Sequence, residues 1–349
     1  VSTLIDILPA HRFDEAHLHA YLNGRVPGLR RMRIRQLQGG QSNPTFLLEG
    51  EGGRFVLRKK PPGTLLPSAH QVEREFRVIS ALYGSDVPVP RPLLLCEDPE
   101  IIGTAFYVME YVEGRVFERA ALDGFDAAER AAIYDNMNKT LAALHRVDWV
   151  AAGLQDFGRH ENYLRRQVDR WSKQYRAAVV GNPDPIVDEV IAWLQAHLPV
   201  EQTPCIAHGD YRLGNLIYAN DSPRVAAVLD WELSTLGDPL SDLAYCCLAY
   251  HLPSDLEGSR GLQGLDLAAL GIPDEKAFVA KYCERTGRSV IPHWGFYMTF
   301  ALFRLTAIVQ GVYARAVQGN ASDANAIQMG SRVQVYARAA HVVASTAGG

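Results

Sequence analysis

The sequence predicts an α+β chain of two lobes. A small antiparallel sheet with one prominent helix and a leading helix fills residues 1–111, and a larger, mainly helical lobe fills residues 112–349. Three observations predict this. Apolar residues alternate with period two in three successive stretches between Met32 and Lys60, separated by glycine-rich breaks. One amphipathic stretch, AHQVEREFRVISALYG, follows them. Past about residue 125 most apolar segments take the longer helical period.

The elements follow in order. Residues 1–30 read as helical with a Pro/Gly end. RMRIRQL alternates, QGGQSN breaks the pattern, PTFLLEG resumes it, EGG breaks it again, and RFVLRKK completes a third strand; two tight glycine-rich connections join the three. PPGTLLPS is a loop by its prolines. In the amphipathic helix Val72, Phe76, Ile79 and Leu82 or Tyr83 share a face, and Gly84 can end it. VPVPRPLLLCED enters a strand through a proline-rich edge, and TAFYVMEYVEG is another. Then come DAAERAAIYDNMNKTLAALHRV, NYLRRQVDRWSKQYRAA, IVDEVIAWLQAHLP, DPLSDLAYCCLAY, DEKAFVAKYCERTG and a long tract over residues 295–317, all helical in pattern. The tail VVASTAGG is expected to fray.

Composition narrows the function. A chain of 349 residues with 48% hydrophobic and 21% charged residues has ample core. Its net charge of -4 gives no global field for nucleic acid or an anionic membrane. The four arginines of LRRMRIRQ read as a solvated face. Five cysteines, Cys96, Cys205, Cys246, Cys247 and Cys283, form no CxxC pair and are odd in number. They argue against a disulfide framework or a zinc site and for a reducing, cytoplasmic setting. The first residues lack a signal-peptide pattern, and no stretch reads as a membrane span.

Chemistry concentrates in IAHGDYRLGNLIYANDSPRVAAVLDWE, residues 206–232. Two short apolar approaches end in carboxylates, CIAHGD at Asp210 and VAAVLDW at Asp230, which can face one cavity. Asn215, just after a turn, can point into the same space. A carboxylate and an amide oxygen are hard ligands of the kind magnesium accepts. Magnesium implies phosphate, and Asp210 could then orient and deprotonate a hydroxyl. That division of labour matches the catalytic and metal loops of the protein-kinase signature.

HGDYRLGN, LDWE and GDPLSDLAY together resemble the aminoglycoside phosphotransferase family, the small-molecule branch of the protein-kinase-like fold. The resemblance spans roughly residues 30–320. It implies that Asp210 is the catalytic base, that Asn215 and Asp230 hold Mg2+, and that ATP or GTP is the phosphoryl donor. It implies that His208 orders the loop. Asp238 and Asp242 read as carboxylates at a helix start, and Glu232 as a third metal neighbour or an ion-pair partner. In the first lobe the resemblance asks for a hairpin over the phosphates, supplied by Gly39, Gly40, Gln41, Ser42 and Asn43, which departs from a full GxGxxG. It asks for a strand cation paired with a helix glutamate. Arg58 and Lys59 are adjacent and so face opposite ways; family register favours Arg58, a departure from lysine, with Glu75 as partner. The backbone of Glu110 and Val112 would meet the adenine edge, with Met109 near the back of that pocket.

The acceptor is less marked. HWGFYMTFALFRLTAIVQGVYARAVQGN is aromatic and apolar, with no dense acidic patch for a polycationic antibiotic. FVLRKKPPGTLLPSAHQVEREFRVISAL resembles the kinase-like domain associated with acyl-CoA dehydrogenase family proteins, which implies a hydroxyacyl-CoA acceptor. A kinase of choline-like or sugar-like alcohols is an alternative, with Trp171, Trp231 and Trp294 as material for an aromatic cage. A non-catalytic nucleotide-binding module is another, against which the presence of Asp210, Asn215 and Asp230 argues.

Overall fold

The computed structural model describes residues 3–38, 43–61, 71–200, 202–255, 260–319 and 326–347. The chain forms two compact units. The first comprises Val1–Val116, Val150–Leu154 and Asn215–Ser234; the second comprises Phe117–Trp149, Gln155–Gly214 and Thr235–Gly349.

In the first unit the elements run β1 (Leu4–Ile5), α1 (Glu15–Leu22), β2 (Arg33–Leu37), β3 (Thr45–Gly50), β4 (Gly53–Lys59), α2 (Val72–Leu82), β5 (Pro92–Cys96), α3 (Pro99–Ile102) and β6 (Phe106–Glu110). The six strands make one sheet in the order β1-β2-β3-β4-β6-β5, with every pairing antiparallel. The alternation read from the sequence becomes two buried faces. Phe46, Leu48, Leu57, Phe106 and Val108 turn to one side and pack with Leu18 and Leu22 of α1 and with Val26, Leu29 and Met32. Val56 pairs with Met109 and Arg58 with Tyr107 on the other side, where α2 lies.

The leading region differs from the single helix expected over residues 1–30. Pro9 sits in a short 3-10 turn, Pro9–His11, which separates a two-residue strand from α1. The missing proline N–H and its fixed φ make a break there cheaper than a continuous helix. Helix α2 buries Val72, Glu75, Val78, Ile79 and Leu82. Val72, Ile79 and Leu82 are buried as predicted, whereas Phe76 is only half-buried and Tyr83 is exposed; the stripe also takes in Val78 and a carboxylate, Glu75.

The remaining elements are α4 (Ala127–His145), α5 (Tyr163–Ala178), α6 (Pro185–Ala196), β7 (Cys205–Ala207), β8 (Leu216–Tyr218), β9 (Val225–Val228), β10 (Thr235–Gly237), α7 (Pro239–Cys246), α8 (Leu267–Leu270), α9 (Glu275–Thr286), α10 (Trp294–Val317) and α11 (Met329–Ala347). The β8–β9 hairpin belongs to the first unit. The others form the second, where β7 pairs with β10. A capping box of Asp126 and Glu129 starts α4. Helix α10 packs against α5, α6, α7 and α11. It is long and apolar enough to cross a membrane, contrary to the sequence reading, but 72% of its most apolar window is buried inside the structure, as in a core helix. Where it is described, the tail is helical and not frayed as expected: α11 continues to Ala347 and buries Ala344, while Gly348 and Gly349 lie outside the described residues. All five cysteines are free.

The β3–β4 turn shows how closely the sheet is tied to the segment after α1. Gly52 N–H donates to Gly28 O at 3.0 Å. A Cβ on Gly52 would lie 2.4 Å from the Gly28 Cα, and Gly28 itself has φ +93°. Neither backbone can retreat without breaking that hydrogen bond. Gly52→Ala is expected to destabilise the protein by about 1–3 kcal/mol, the usual range for overpacking. A urea midpoint equal to that of the wild type would show that the turn is looser than this.

Candidate active site

Each unit carries a cluster of the polar side chains singled out from the sequence. In the first, strand alternation sends Arg58 and Lys59 to opposite faces. Lys59 is buried on the α1 side, its Nζ 5.8 Å from the centroid of the Phe13 ring. Burial lowers its pKa. Arg58 turns to the α2 side, where its Nε lies 3.1 Å from Glu75 Oε2. Its Nη2 donates to Asp230 Oδ1 at 2.8 Å and lies 3.6 Å from Glu232 Oε2. One guanidinium therefore meets three carboxylates. Burial opposes its charge, but Glu75, Tyr107 and Asp230 outweigh that and hold it charged above its ordinary pKa.

Glu75 is 1% exposed. Burial pushes its carboxyl up, and Arg58, Tyr107 and Asn43 oppose the shift. Asn43 Nδ2 donates to Oε1 at 2.6 Å, and the Tyr107 hydroxyl donates to Oε2 at 3.1 Å. With two donors and a guanidinium around it, the ion pair is the form this pocket stabilises.

The β8–β9 hairpin positions the other two residues of this cluster. Leu216 pairs with Val228, and the Leu229 N–H donates to Asn215 O at 2.8 Å. Asn215 and Asp230 thus flank the open end of one hairpin, although 14 positions separate them in the sequence. Asp230 has φ +65° and ψ +58°, a left-handed conformation that aspartate tolerates better than most residues. Trp231, next along, is buried and donates from Nε1 to Val228 O at 3.0 Å. That anchor fixes the turn that aims Asp230.

Asp230 and Asn215 offer two hard oxygen donors. Magnesium keeps several waters and takes further oxygens from phosphates, so two protein ligands suit it. Among the described residues no group of three or more His, Cys, Asp or Glu side chains forms a metal cluster. The donor set fits magnesium and does not fit zinc.

In the second unit the loop after β7 is held from beneath. Asp242, in the first turn of α7, accepts from His208 N–H at 2.7 Å and Gly209 N–H at 2.8 Å. His145 Nε2 lies 3.2 Å from the same carboxylate, and its Nδ1 lies 2.7 Å from the Tyr282 hydroxyl oxygen. Burial works against the Asp242 charge, but His145 and His208 bring its pKa below the ordinary value. Arg304 Nη2 donates to Gly209 O at 2.5 Å. Gly209 itself has φ +82°. Asp210 follows, with its Oδ2 3.4 Å from Arg212 Nε and a hydrogen bond to the Tyr245 side chain. Asp238 caps α7, accepting from Leu240 N–H at 2.8 Å and from the Tyr297 hydroxyl at 3.1 Å.

Of the residues singled out from the sequence, the first unit brings together Asn43, Arg58, Glu75 and Asp230, with Asn215 beside Asp230. Asp210 lies in the second unit. Glu110 is exposed at the end of β6, its N–H donating to Arg91 O at 2.9 Å, and Val112 is half-buried just after it. Gly39, Gly40, Gln41 and Ser42 lie outside the described residues. Sequence reasoning missed Tyr107, His145, Arg304 and the loop-binding part of Asp242. For Tyr107 a signal existed, since it alternates with Val108 on a strand; the others are joined to the loop only by tertiary contacts.

Two outcomes follow from this geometry. Asp242→Asn puts an amide N–H2 against two backbone N–H groups, so stability should fall by about 2–4 kcal/mol in thermal unfolding. An unchanged unfolding temperature would mean the loop holds itself. Arg58→Met leaves buried Glu75 without its cation and should destabilise the protein by about 3–5 kcal/mol. Lys59→Met removes a desolvated charge from an apolar face and should not destabilise it; the reverse ranking would show that Arg58 does not hold this cluster together.

The phosphotransferase enzyme family model matches residues 33–278. Acyl-CoA dehydrogenase family member 10 of Mus musculus is 48% identical over 309 residues, 88% of this chain and 29% of that protein. Acyl-CoA dehydrogenase family member 11 of Rattus norvegicus is 43% identical over 341 residues, 95% of this chain and 43% of that protein. The chain therefore spans less than half the length of either relative. A crystal structure of a Ralstonia eutropha protein classed as an aminoglycoside phosphotransferase superposes with a TM-score of 0.87 at 45% identity, covering 96% of this chain and 99% of that one. The fold is thus the two-lobed, protein-kinase-like α+β arrangement. Nucleotide-dependent transfer of a phosphoryl group to a small-molecule hydroxyl is the activity that this family and fold carry, and the chain belongs to the phosphotransferase enzyme family.

Proposed function

We propose that the protein transfers the γ-phosphoryl group of ATP or GTP, with Mg2+, to the hydroxyl of a hydroxyacyl-CoA. The observation that carries the reading is the run of charges Glu75–Arg58–Asp230, with the Asn215 backbone bonded next to Asp230; it supports a cation for the donor phosphates beside two oxygen ligands suited to magnesium. In this reading Arg58, fixed by Glu75, meets the donor phosphates. The backbone of Glu110 and Val112 receives the adenine edge, Asn43 acts from behind by holding Glu75, and the remaining residues of the expected hairpin, Gly39, Gly40, Gln41 and Ser42, lie outside the described residues. Asn215 and Asp230 hold the metal, which when bound neutralises phosphate charge and orients the transferred group. Asp210 orients the acceptor hydroxyl and takes its proton as the oxygen attacks phosphorus. Asp242 and Arg304 keep the loop that carries Asp210 in place, so that little reorganisation is needed at the moment of transfer.

The acceptor class follows from two constraints. A kinase of this family needs a hydroxyl, and the relatives, of which this chain spans less than half, are named as acyl-CoA dehydrogenase family members. A hydroxylated acyl-CoA satisfies both. The choline-like alternative loses support, because the three tryptophans considered for a cage have other partners. Arg304 lies 5.2 Å from the Trp171 ring centroid, Trp231 is buried, and Trp294 Nε1 donates to Glu275 at 3.0 Å.

Calorimetric titration of ATP with and without magnesium tests the donor side. Wild type should bind with a magnesium-dependent affinity that Asp230→Ala loses; equal magnesium dependence in both would remove Asp230 from the metal site. Asp210→Asn should keep magnesium-dependent ATP binding and lose transfer to a hydroxyacyl-CoA by about 100- to 10,000-fold, the usual worth of general acid–base catalysis. Undiminished transfer would refute Asp210 as the base.

A further inference from the structure

We infer that Arg260, acting with Arg212 across Glu118, forms a recognition site for a phosphate group of the acceptor. The inference deepens the reading above and rests on Asp210 being the base. Glu118 Oε2 lies 2.7 Å from Arg260 Nη2 and 3.9 Å from Arg212 Nη1. Arg212 also reaches Asp210, its Nε 3.4 Å from Oδ2. Two guanidiniums thus share one carboxylate within reach of the proposed base. Arg304 adds a third positive group, its Cζ 4.6 Å from the centroid of Tyr245, the ring whose side chain bonds Asp210.

The arrangement leaves donors over. Arg212 Nη1 is buried and makes no hydrogen bond among the described residues; Glu118 at 3.9 Å is too far to accept one. Gly214 makes room for this guanidinium, since a Cβ there would lie 2.2 Å from Nη1. Burial, together with the neighbouring charge of Arg212, lowers the pKa of Arg260. Like charges held close need a bridging anion to be favourable. A phosphate offers three oxygens in a geometry that guanidinium forks match.

Glu118 is the group that an incoming phosphate would displace. Its side chain is 59% exposed and that of Arg260 is 49% exposed. An ion pair so open to water is weak and readily exchanged. A neutral alcohol gains nothing from the exchange, and a polycationic acceptor would meet like charge. The pair therefore sets specificity for an acceptor that carries its own phosphate.

The test compares two acceptors that share one hydroxyacyl chain, a hydroxyacyl-CoA and the matching hydroxyacyl-pantetheine, which has no phosphate. For Arg260→Ala the KM for the CoA acceptor should rise about 10- to 100-fold, the worth of one charge-assisted contact. The KM for the pantetheine acceptor should rise far less, and Arg260→Lys should recover part of the loss. Arg176→Ala, which removes an equal charge from a surface pair with Asp188, serves as the control and should leave the ratio of the two KM values unchanged. Equal effects on both acceptors would overturn the site, and so would a change confined to the KM for ATP, which would assign Arg260 to the donor. Binding of coenzyme A itself, measured with a non-hydrolysable ATP analogue saturating, separates this inference from the activity. Weaker binding to Arg260→Ala than to wild type supports the phosphate site even if no acceptor turns over. Equal binding by the two, or none by either, refutes it.

Discussion

The buried guanidinium of Arg58 is the interaction on which the first unit's cluster depends. It is fed from four separate parts of the chain: β4 carries it, α2 carries Glu75, β6 carries Tyr107, and the turn after β9 carries Asp230 and Glu232. Each carboxylate alone would be costly to bury, and the cation alone more so. Together they neutralise one another and fix where α2 and the β8–β9 hairpin sit against the sheet. An arginine suits this position better than the lysine usual in kinases. Its Nε faces the helix glutamate while Nη2 reaches Asp230, two directions that a single ammonium on a flexible stem cannot hold at once.

A second constraint of the same kind governs the loop around Asp210. Loop backbone needs partners for its N–H groups when it is buried, and no strand supplies them to His208 and Gly209. Asp242 does, from the first turn of a helix, 32 positions after Asp210. The carboxylate is kept ionised by His145 and the loop's own donors despite complete burial. Such a bond is worth more in the interior than at the surface, because both partners have given up water and neither has an alternative. The consequence is a loop held at His208 and Gly209 by its main chain. Arg304 repeats the device from the opposite sense, donating to Gly209 O.

How much of this could be read in the sequence depended on the range of each contact. The strands of residues 33–59 were legible because a period of two is a local property, and the same property separates Arg58 from Lys59. The pairing of Asn215 with the turn at Asp230 was legible as a motif, and its cause, a hairpin with Leu216 opposite Val228, is also local. The break at Pro9 and the full length of α11 were not read correctly. The first is a short irregular stretch below the window of any periodicity; the second is a helix rich in alanine and valine that owes its order to packing on α10. Asp242 was read as a helix-start carboxylate. That is where it sits, but its two acceptor bonds reach into the HGD loop, and no local pattern encodes them. Glu118 and Arg260 gave no signal, since neither lies in a motif and their meeting is a property of the folded second unit.

The same separation of local from tertiary explains why the family is clear and the acceptor is harder to see. The donor chemistry is common to every member of a phosphotransferase family, so it sits in short motifs that spacing reveals. The acceptor differs from one member to the next, and a fold shared by many kinases says little about it. In this chain positive groups outnumber negative ones beside the proposed base. Arg212, Arg260 and Arg304 stand against Asp210 and Glu118 in that region. A positive surround lowers the free energy of an approaching anion and raises that of a polycation. Discrimination of this kind does not require a deep or closely fitted pocket. It requires only that charges drawn from distant stretches of the second unit be held beside the proposed base, and Arg304 and Asp242 hold the backbone of His208 and Gly209, just before Asp210.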